Sequence, residues 1–577
     1  MLNNAWVTVW WFNLIVLICL GLQACGGEEE PGTFRVATPA DIEALSDYTV
    51  INGNLHIGPC INSIGECEVP AILESLRGLE NITEVTGDLF IHNNALIQNL
   101  VGLDNLTRVG GRLFIEGNSA MQNTDGMGSL HTVGDSMFIS RSDSLTEITG
   151  FNSLNSVGRD APLGSPGELA IFKNDQLVSL DGFPVLTDAT YVRLSQNALL
   201  TNLKGLETIS PTIRYVSLGY MPLLNDLSAL SHITSVESTF MLSNLDAIDR
   251  LDWFTNLRSV GTLLLLEMHG ITDLEGLNNL DTVTEIRIER NHSLATLEGL
   301  ESLAAIYYDP SCETCNFFGR PGIRIIDNPV LQSLNGLRRI TEIGPNLEIR
   351  GNDLITSLEG INYVPAVMAR VSLRDNASLV DISPMTALTN TTLELSIENN
   401  DQLPDLTAFS NVFRVDGVLS IQDNDSIIDL SGFDNVTFVY SSVRINDNDS
   451  LQTLDGLNNL TAAASFFISG NPQLNSLSAL SNVNEISQRL YVENNDSLVS
   501  LDGVQNITFA TDLSIKDNLL LQDIDALNNL TEVAYLFHFE DNPALCRQRI
   551  LELKALIESR DGLNRSDYIS ISGNKQC

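Results

Sequence analysis

The residues with the most obvious covalent chemistry are the eight cysteines of this 577-residue chain. Cys312-Glu-Thr-Cys315 has the spacing of a redox-active or zinc-binding pair, but no second ligand pair and no βαβ pattern accompanies it. The cysteines beyond the N-terminal segment fall into three local pairs, which in an exported chain favour disulfide bonds. These pairs are Cys60 with Cys67, Cys312 with Cys315, and Cys546 with Cys577.

Acid–base catalysis and metal binding need carboxylates or histidines gathered at fixed spacings. A polysaccharide hydrolase, for example, needs two carboxylates in a shaped groove, whereas the acidic residues here are spread through recurring turns. The seven histidines show no catalytic or metal-ligand spacing; they are His56, His92, His131, His232, His269, His292 and His538. We therefore predict a protein that is not an enzyme and carries no cofactor.

Four aspartates recur one repeat apart, so they place like charges side by side. They are Asp423, Asp425, Asp447 and Asp449. Such neighbours repel one another unless water solvates them or a cation such as Ca²⁺ bridges them. Their spacing does not match an EF-hand loop, so we interpret them as solvated turns, with a Ca²⁺ site as the alternative.

Aromatic residues provide two candidate binding surfaces. Phe90, Phe114 and Phe138 occupy equivalent outward positions of consecutive repeats, where they form either a stabilising aromatic ladder or an exposed stripe that binds a sugar or a peptide. The segment Tyr307 to Gly322 and the shorter Arg159 to Gly167 are insertions at one edge of the repeat, where such proteins often bind ligands; insertions merely tolerated at an exposed turn are the alternative. The candidate loop residues are Tyr307, Tyr308, Phe317 and Phe318.

A repeat of 23 or 24 residues positions all of these side chains. Its template is L-x-I-x-x-N-x-x-L-x-x-L-x-G-L-x-x-L-T-x-V, and we number each repeat from an anchor, the second apolar residue of L-x-I. The anchors are Ile57, Ile91, Ile115, Ile139, Ile171, Leu194, Leu218, Leu242, Leu265, Ile288, Ile325, Ile349, Leu373, Ile397, Ile421, Ile445, Ile468, Val492, Ile515, Phe539 and Ile571.

The apolar spacing within one repeat predicts its local structure. The anchor and the residue two before it are apolar, and this period of two predicts a short strand with both side chains facing inward. Apolar residues then follow near anchor+6, +9, +12, +15 and +18, a spacing of three that favours tight turns and 3₁₀ segments. We predict a mainly β, leucine-rich solenoid of about 20 coils that stack through a parallel sheet.

Asparagine occupies anchor+3 in most coils, including Asn94, Asn118 and Asn424. Its amide can bond backbone groups at the strand end and the asparagine of the next coil, so we predict a structural ladder. Three consecutive coils depart from the rule with Met221, Leu245 and Met268. This run is either the junction of two subdomains that meet near 219–268, which we favour, or an apolar patch for a partner.

The first 24 residues are predicted to be a signal peptide, because they are apolar and uncharged. The ending Leu22-Gln23-Ala24-Cys25 resembles a bacterial lipobox, which implies cleavage before Cys25 and acylation of that residue. An ordinary secreted protein, or one held by an uncleaved anchor, is the alternative. We expect residues 25–37 to form a flexible tether and the protein to be lipid-anchored at the outer membrane or cell surface.

Short helices are predicted to close both ends of the solenoid, 38–577. At the N-terminal end, Thr38-Pro39-Ala40-Asp41 has the features of a helix start. At the other end, 543–577 should contribute a helix from Ala544 to Glu558 and a last strand around Ile569 and Ile571. Both ends of the repeat therefore appear capped, as solenoids require.

The repeat resembles the receptor L-domain family from about Asp41 to the C-terminus. This resemblance implies a right-handed, β-helix-like leucine-rich solenoid, and it carries over no ligand contacts because the shared residues are core and turn positions. A net charge of −42 argues against nucleic-acid binding through phosphates. We expect a surface protein that recognises an extracellular protein or a carbohydrate and meets the membrane only through its lipid; a structural envelope or matrix component is the alternative.

Overall fold

A computed structural model describes residues 32–59, 72–162, 165, 167–306, 322–362, 365–563 and 568–577. It divides into two compact units. The first contains the described residues up to Ile248 together with Trp253–Leu257, and the second contains Asp249–Asp252 and Arg258–Cys577. Both units are stacks of strand-and-turn coils, so the predicted mainly β, parallel solenoid of about 20 coils is confirmed.

In the first unit, consecutive coils pair in parallel through a long sheet and a narrower second sheet. The long sheet contains β1 (Thr33–Val36), β3 (Asn54–Ile57), β5 (Leu89–His92), β7 (Leu113–Glu116), β9 (Met137–Ser140), β11 (Glu168–Phe172), β13 (Tyr191–Ser195), β14 (Thr212–Gly219) and β15 (Ser235–Ser243). The second contains β2 (Val50–Ile51), β4 (Glu84–Val85), β6 (Arg108–Val109), β8 (Thr132–Val133), β10 (Ser156–Val157) and β12 (Asp188–Ala189).

In the first unit most coils have a short strand in the narrower sheet and another in the long sheet. In the second unit many coils have one longer strand that covers both of these positions and is interrupted only by a bulge, for example between Met368 and Arg370. Its strands are β16 (Ser259–Leu266), β17 (Thr282–Glu289), β18 (Ala305–Ile306), β19 (Gly322–Ile326), β20 (Asn346–Arg350), β21 (Val367–Arg374), β22 (Asn390–Glu398), β23 (Arg414–Val415), β24 (Val418–Gln422), β25 (Phe438–Asn446), β26 (Ala462–Ser469), β27 (Glu485–Glu493), β28 (Phe509–Lys516), β29 (Glu532–Glu540) and β30 (Tyr568–Ser572).

The core consists of apolar columns, each contributed by one position of the repeat. In the coil of Ile91, the residues at anchor+6, +9, +12, +15 and +18 are all fully buried: Ile97, Leu100, Leu103, Leu106 and Val109. The spacing of three corresponds to turns and to short 3₁₀ helices such as Ser478–Asn482 and Asp525–Asn529. Each coil therefore buries its apolar residues against the coils before and after it, as in other repeat proteins.

The asparagine ladder at anchor+3 is confirmed within each unit. In the second unit, the side-chain oxygen of each asparagine accepts the backbone N–H of the preceding one, at 3.1 Å for Asn400 to Asn424. Its amide donates to the anchor carbonyl one coil back, at 2.9 Å from Asn424 to Ile397. The members are Asn291, Asn328, Asn352, Asn376, Asn400, Asn424, Asn448, Asn471, Asn495, Asn518, Asn542 and Asn574.

The three coils without this asparagine keep the position buried. Met221, Leu245 and Met268 are each fully buried, so these three side chains belong to the core; the alternative that the surrounding stretch is an apolar patch for a partner stays a prediction. The backbone N–H of Met268 still donates to the Asn291 side chain at 2.9 Å. The two compact units divide between Ile248 and Arg258, within this part of the sequence.

A second asparagine ladder, which the sequence analysis did not identify, comes from the N-L-T segment. Asn105 donates its side-chain N–H to the carbonyl of Glu80 at 2.8 Å, and Asn459 donates in the same way to Asp434 at 2.7 Å. The acceptor lies about one coil back in both cases. This position is exposed, so the bond ties adjacent turns together at the surface.

The N-terminal helix forms as predicted, but a strand precedes it. Helix α1 (Pro39–Leu45) is capped by Thr38, the residue before it. The side chains of Thr38 and Asp41 form a reciprocal capping box. Within the predicted tether 25–37, Thr33–Val36 is strand β1, paired in parallel with β3, so the tether prediction is wrong for these residues. Phe34 and Val36 match the L-x-I pattern and add one coil to the stack.

The C-terminal segment contains the predicted helix and strand. Helix α2 (Arg547–Glu558) buries Ile550, Leu553 and Ile557. Strand β30 then pairs in parallel with β29. Cys546 is bonded to Cys577, with the two Cα atoms 5.8 Å apart, so the end of the chain is fixed to the start of the helix.

Candidate ligand-binding surface

The outward face of the long sheet is the broadest surface the repeat provides, and three positions of each coil form it. These are anchor−3, anchor−1 and anchor+1, because strand side chains alternate and the anchor itself points inward. Parallel pairing in register stacks equivalent residues, as in Phe90 beside Phe114 and Phe114 beside Phe138. The properties of this face therefore follow from columns of residues rather than from single positions.

The predicted phenylalanine ladder is present in the first unit. His56, Phe90, Phe114 and Phe138 stack face to face, with ring centroids separated by 4.4, 4.8 and 4.7 Å. The Arg112 guanidinium lies 5.3 Å from the Phe114 centroid and pairs with Asp88 at 2.7 Å. Stacked rings at these distances are expected to contribute to the stability of the sheet.

The prediction that these phenylalanines point freely into solvent is wrong for two of them. Phe90 is 8% and Phe114 is 7% exposed, and Phe138 is half-buried. The rings cover one another at nearly the spacing of adjacent strands, so a ligand cannot stack on their faces. The ladder is therefore a weaker candidate for ligand binding than the sequence suggests.

Two histidines beside the ladder are kept neutral by their surroundings. Burial lowers the pKa of His92 to about 4, with a further contribution from the positive charge of Arg35. Burial also lowers the pKa of His56 to about 4, assisted by His92 and Arg35. Neither ring nitrogen of His92 has a hydrogen-bond partner, which is consistent with a side chain held in an apolar site.

A second aromatic group, which the sequence analysis missed, lies on the sheet face of the second unit. We call it the aromatic patch, formed by Arg444, Phe467, Tyr491, Arg489 and Asp512. The Arg444 guanidinium is 5.7 Å from the Phe467 centroid, and Phe467 and Tyr491 meet edge to face at 5.4 Å. Arg489 pairs with Asp512 at 3.0 Å. Phe467 and Tyr491 remain half-buried, and both arginines are exposed.

The patch contains one polar group that its neighbours leave unpaired. Asp512 is buried, and only one of its two carboxylate oxygens is bonded, to Arg489. Burial raises the pKa of the Tyr491 hydroxyl, and the nearby charge of Asp512 raises it further. The patch therefore combines aromatic surface, two guanidinium groups and a fixed carboxylate, which are side chains typical of recognition surfaces.

Elsewhere on this face, ion pairs join successive coils. Arg324 contacts Glu348 at 2.8 Å, and Glu394 contacts Arg370 at 3.1 Å as well as Arg374. Burial raises the pKa of Glu289, although the neighbouring arginines oppose that shift. Because these charges already have partners within the face, they stabilise register between coils rather than provide an open charged site.

A column of small residues lies among these ion pairs, in the strands that precede the aromatic patch. Ser372, Ser396 and Ser420 occupy anchor−1 in β21, β22 and β24, and all three are buried. Burial favours a raised pKa for Glu398, but hydrogen bonds from Ser396 and Ser420 and the charge of Arg374 hold that pKa below its usual value. Ser396 and Ser420 therefore find their hydrogen-bond acceptor within the sheet face itself, at Glu398.

The aspartate turns have a backbone explanation. Asp423 and Asp447 stand at anchor+2 with φ of 51° and 55°, in the left-handed region that Asn, Asp and Gly adopt more readily than other residues. Burial raises the pKa of both carboxyl groups, with contributions from neighbouring acids: Asp447 for Asp423, and Asp449 for Asp447. Among the described residues, no three acidic, histidine or cysteine side chains are grouped so as to hold a metal ion.

Replacing these acids should stabilise the protein. The double variant Asp423→Asn, Asp447→Asn keeps residues suited to positive φ and removes like-charge repulsion. Because the folded pKa values are raised, the native carboxylates destabilise the fold above those values and cease to do so once protonated. We expect a gain of a few tenths of a kcal/mol at pH 7 that disappears toward pH 3, measured by urea unfolding.

Asp375 provides a matched control at the same position of another coil. Its carboxylate already contacts Arg350 at 3.2 Å and accepts a hydrogen bond from Asn399 at 2.8 Å. Asp375→Asn should therefore give no gain in stability. Equal stabilisation by both changes would contradict the role assigned to repulsion.

One shallow depression of about 200 Å³ lies between the 3₁₀ turns Ser383–Ala387 and Thr407–Phe409, below the range usual for small-molecule sites. Its side chains include Asp381, whose pKa is lowered by hydrogen bonds from Ser357 and from the backbone of Ser383. The broad sheet face is thus the larger candidate surface.

Several predicted site residues lie outside the described residues. They are Cys25, the pairs Cys60 with Cys67 and Cys312 with Cys315, and the loop residues Tyr307, Tyr308, Phe317 and Phe318. Their proposed acylation, disulfide bonding and loop-edge binding stay predictions. In the shorter insertion, Asp160 forms an ion pair with Arg108 at 2.9 Å. None of the helices in the described ranges is long and apolar enough to span a bilayer.

Comparison with known proteins gives a family match over a minor part of the chain. Residues 49–125 match the model of the Receptor L domain, which agrees with the resemblance seen in the repeat. A comparison with curated proteins finds no match. The matched segment includes Phe90 and Phe114 but not the aromatic patch.

Two solved structures are similar to the chain at low sequence identity. An internalin (inlF) from Listeria monocytogenes is 16% identical, with a TM-score of 0.27; the match covers 67% of this chain and 82% of that one. The leucine-rich repeat protein LIC12759 from Leptospira interrogans is 12% identical, with a TM-score of 0.34; the match covers 77% of this chain and 91% of that one. At these values, neither similarity indicates a ligand.

Proposed function

We propose that this protein is a non-enzymatic recognition protein that binds an extracellular protein partner through the sheet face of its second unit. The aromatic patch carries the proposal. It places two guanidinium groups and a tyrosine on a rigid surface, and arginine and tyrosine are the side chains that most often dominate binding energy at protein interfaces. The Arg489–Asp512 ion pair and the contact between Phe467 and Tyr491 hold these residues in place, which lowers the entropic cost of binding.

The Receptor L domain match over residues 49–125 supports a binding role in general terms and does not identify the partner. Export and attachment through an acylated Cys25 complete the proposal, because an anchored solenoid would display its sheet face outside the cell. Mass spectrometry of the mature N-terminal peptide tests this part: an unmodified Cys25, or an uncleaved leader, would contradict it.

The binding experiment uses residues 26–577 on arrays of extracellular proteins and of glycans. Saturable binding to a protein should weaken at least tenfold in Tyr491→Ala and in Arg444→Ala, because losing a central interface residue costs on the order of 2 kcal/mol. Tyr440→Ala is the control: Tyr440 is 68% exposed in β25 but lies outside the patch.

Each outcome distinguishes the proposal from an alternative. Binding to glycans alone would replace a protein partner with a carbohydrate. Protein binding that is unchanged in both patch variants would remove the patch from the proposal. The absence of any saturable ligand would favour a structural envelope component, a reading consistent with the internally satisfied ladders of the sheet face.

A further inference from the structure

Among the described residues, strand β30 has a strand partner on one edge only. In the described residues, β30 pairs with β29 on one side and with nothing on the other. Within the stack, the anchor and the residue two before it are fully buried, as Phe537 and Phe539 are in β29. In β30 the equivalent Ile569 is 42% exposed and Ile571 is half-buried.

The backbone at this edge also lacks the partners that most interior coils have. The anchor carbonyl normally accepts from the asparagine one coil further on, as Phe539 does from Asn574 at 2.7 Å. The N–H at anchor+2 normally donates to the next coil, as Asp541 does to Ser572 at 3.0 Å. For β30 the equivalent groups are the Ile571 carbonyl and the Gly573 N–H, and no further coil among the described residues bonds them.

The charge near this edge differs from that of the whole protein. The described residues of 547–563 and 568–577 contain five Lys or Arg and three Asp or Glu, in a chain whose net charge is −42. Two copies would repel each other across most of their acidic surface, but this end is locally close to neutral. Tyr568 is 53% exposed and lies 5.1 Å from the ring of Tyr535, so the edge is also apolar.

We propose that β30 joins two copies of this protein by antiparallel pairing with itself. A two-fold axis beside Ser570 places Ile569 of each copy opposite Ile571 of the other. The outward N–H and C=O groups of both isoleucines then form hydrogen bonds, and their side chains meet across the junction. Such an interface is self-complementary and closes after two copies. It therefore gives the unpaired backbone groups of β30 hydrogen-bond partners without forming a fibre.

The structure holds this edge ready for pairing. The Cys546–Cys577 bond fixes the residues that follow the strand, and the Ser570 side chain donates to Glu540 of the preceding coil. The strand is therefore ordered before a second copy binds, which reduces the conformational entropy lost on association.

The test measures the mass of the full mature chain by light scattering over a range of micromolar concentrations. We expect a dimer that dissociates on dilution, and a monomer for Ile569→Lys at every concentration. Ile571→Pro removes an N–H that points away from β29, so it should also give a monomer while leaving the β29–β30 pairing intact. Circular dichroism verifies that both variants fold.

Cysteine cross-linking tests the geometry independently. Ser570→Cys should form an intermolecular disulfide on mild oxidation, because residues opposite each other at such an axis have Cα atoms about 4.5 Å apart. Ser559→Cys, at the exposed end of α2, should not. A wild type that stays monomeric, a dimer unaffected by Ile569→Lys, or growth into open polymers through another strand would overturn the proposal.

Discussion

Asn424→Ala should destabilise the second unit by about 4 kcal/mol. The Asn424 oxygen accepts from the Asn400 N–H at 3.1 Å, and its amide donates to the Ile397 and Gln422 carbonyls at 2.9 and 2.8 Å. Removing the side chain leaves the Asn400 N–H and the Ile397 carbonyl buried without these partners, and each orphaned group costs about 1–3 kcal/mol. Alanine also leaves a small void in a closely packed site.

Asn435→Ala is the matched control in the same coil. Asn435 belongs to the surface ladder and donates a single exposed hydrogen bond to the Ser410 carbonyl at 2.7 Å. Water can replace that bond, so we expect a cost of at most about 1 kcal/mol. Urea unfolding followed by circular dichroism compares the two variants, and equal losses would show that burial of the ladder contributes nothing.

The ladder should also show coupling between neighbours. Asn424 donates to the Asn448 oxygen at 3.4 Å, so Asn448→Ala removes part of the same network. The double variant should therefore lose less stability than the two single variants added together. Hydrogen exchange should place the loss in the coils around β24 and β25, because each coil depends mainly on its neighbours.

The core of this fold was predictable because the same apolar pattern recurs in successive repeats. Inward positions are fixed by period two in the strand and spacing three in the turns, and residues such as Ile97 and Leu100 are buried as that pattern requires. The ladder was predictable for the same reason. An amide at every strand end has backbone partners only if the coils stack.

Accessibility of the outward face was not predictable in the same way. Alternation determines which way Phe90 and Phe114 point, but their exposure depends on the neighbours one strand away. Those neighbours are aromatic, so the rings cover each other at 4.8 Å. The sequence did contain a signal for the aromatic patch, since Phe467 and Tyr491 occupy anchor−1 in adjacent coils, as the phenylalanines of the ladder do.

Strand β1 and the aspartate turns show two further signals that were present but not used. Phe34 and Val36 repeat the apolar pair of the L-x-I pattern, although a polar segment surrounds them. The recurrence of Asp, Asn and Gly at anchor+2 reflects positive φ at Asp423 and Asp447, so a backbone requirement explains these acids without a metal.

The second large effect concerns pH: the N-terminal coils should lose stability as the pH falls from about 6.5 toward 4. The pKa of His92 is about 4 in the folded protein against an ordinary value of 6.5. The folded state therefore favours the neutral ring, and the unfolded chain binds the proton first. Stability from this group is complete above the unfolded pKa and is lost through this range, by about 3 kcal/mol.

Hydrogen exchange of the β3 and β5 peptides at pH 7.5, 5.5 and 4.5, corrected for intrinsic rates, measures this loss locally. His92→Leu removes the titrating group and its two unpaired nitrogens, so the pH dependence should shrink. Adding His56→Phe removes the second depressed pKa and extends the stack of rings, since His56 already lies 4.4 Å from Phe90.

His131→Gln is the control, because His131 is exposed and lies outside the ladder. It should leave the pH profile unchanged. If hydrogen exchange in the double variant accelerated as steeply with falling pH as in the wild type, the buried histidines would not be the cause of the pH dependence. Asp41 would then be the group to replace: burial opposes the shift, but hydrogen bonds from Ala37 and Thr38 hold the pKa of its carboxyl group below the usual value, so its protonation weakens the fold at low pH.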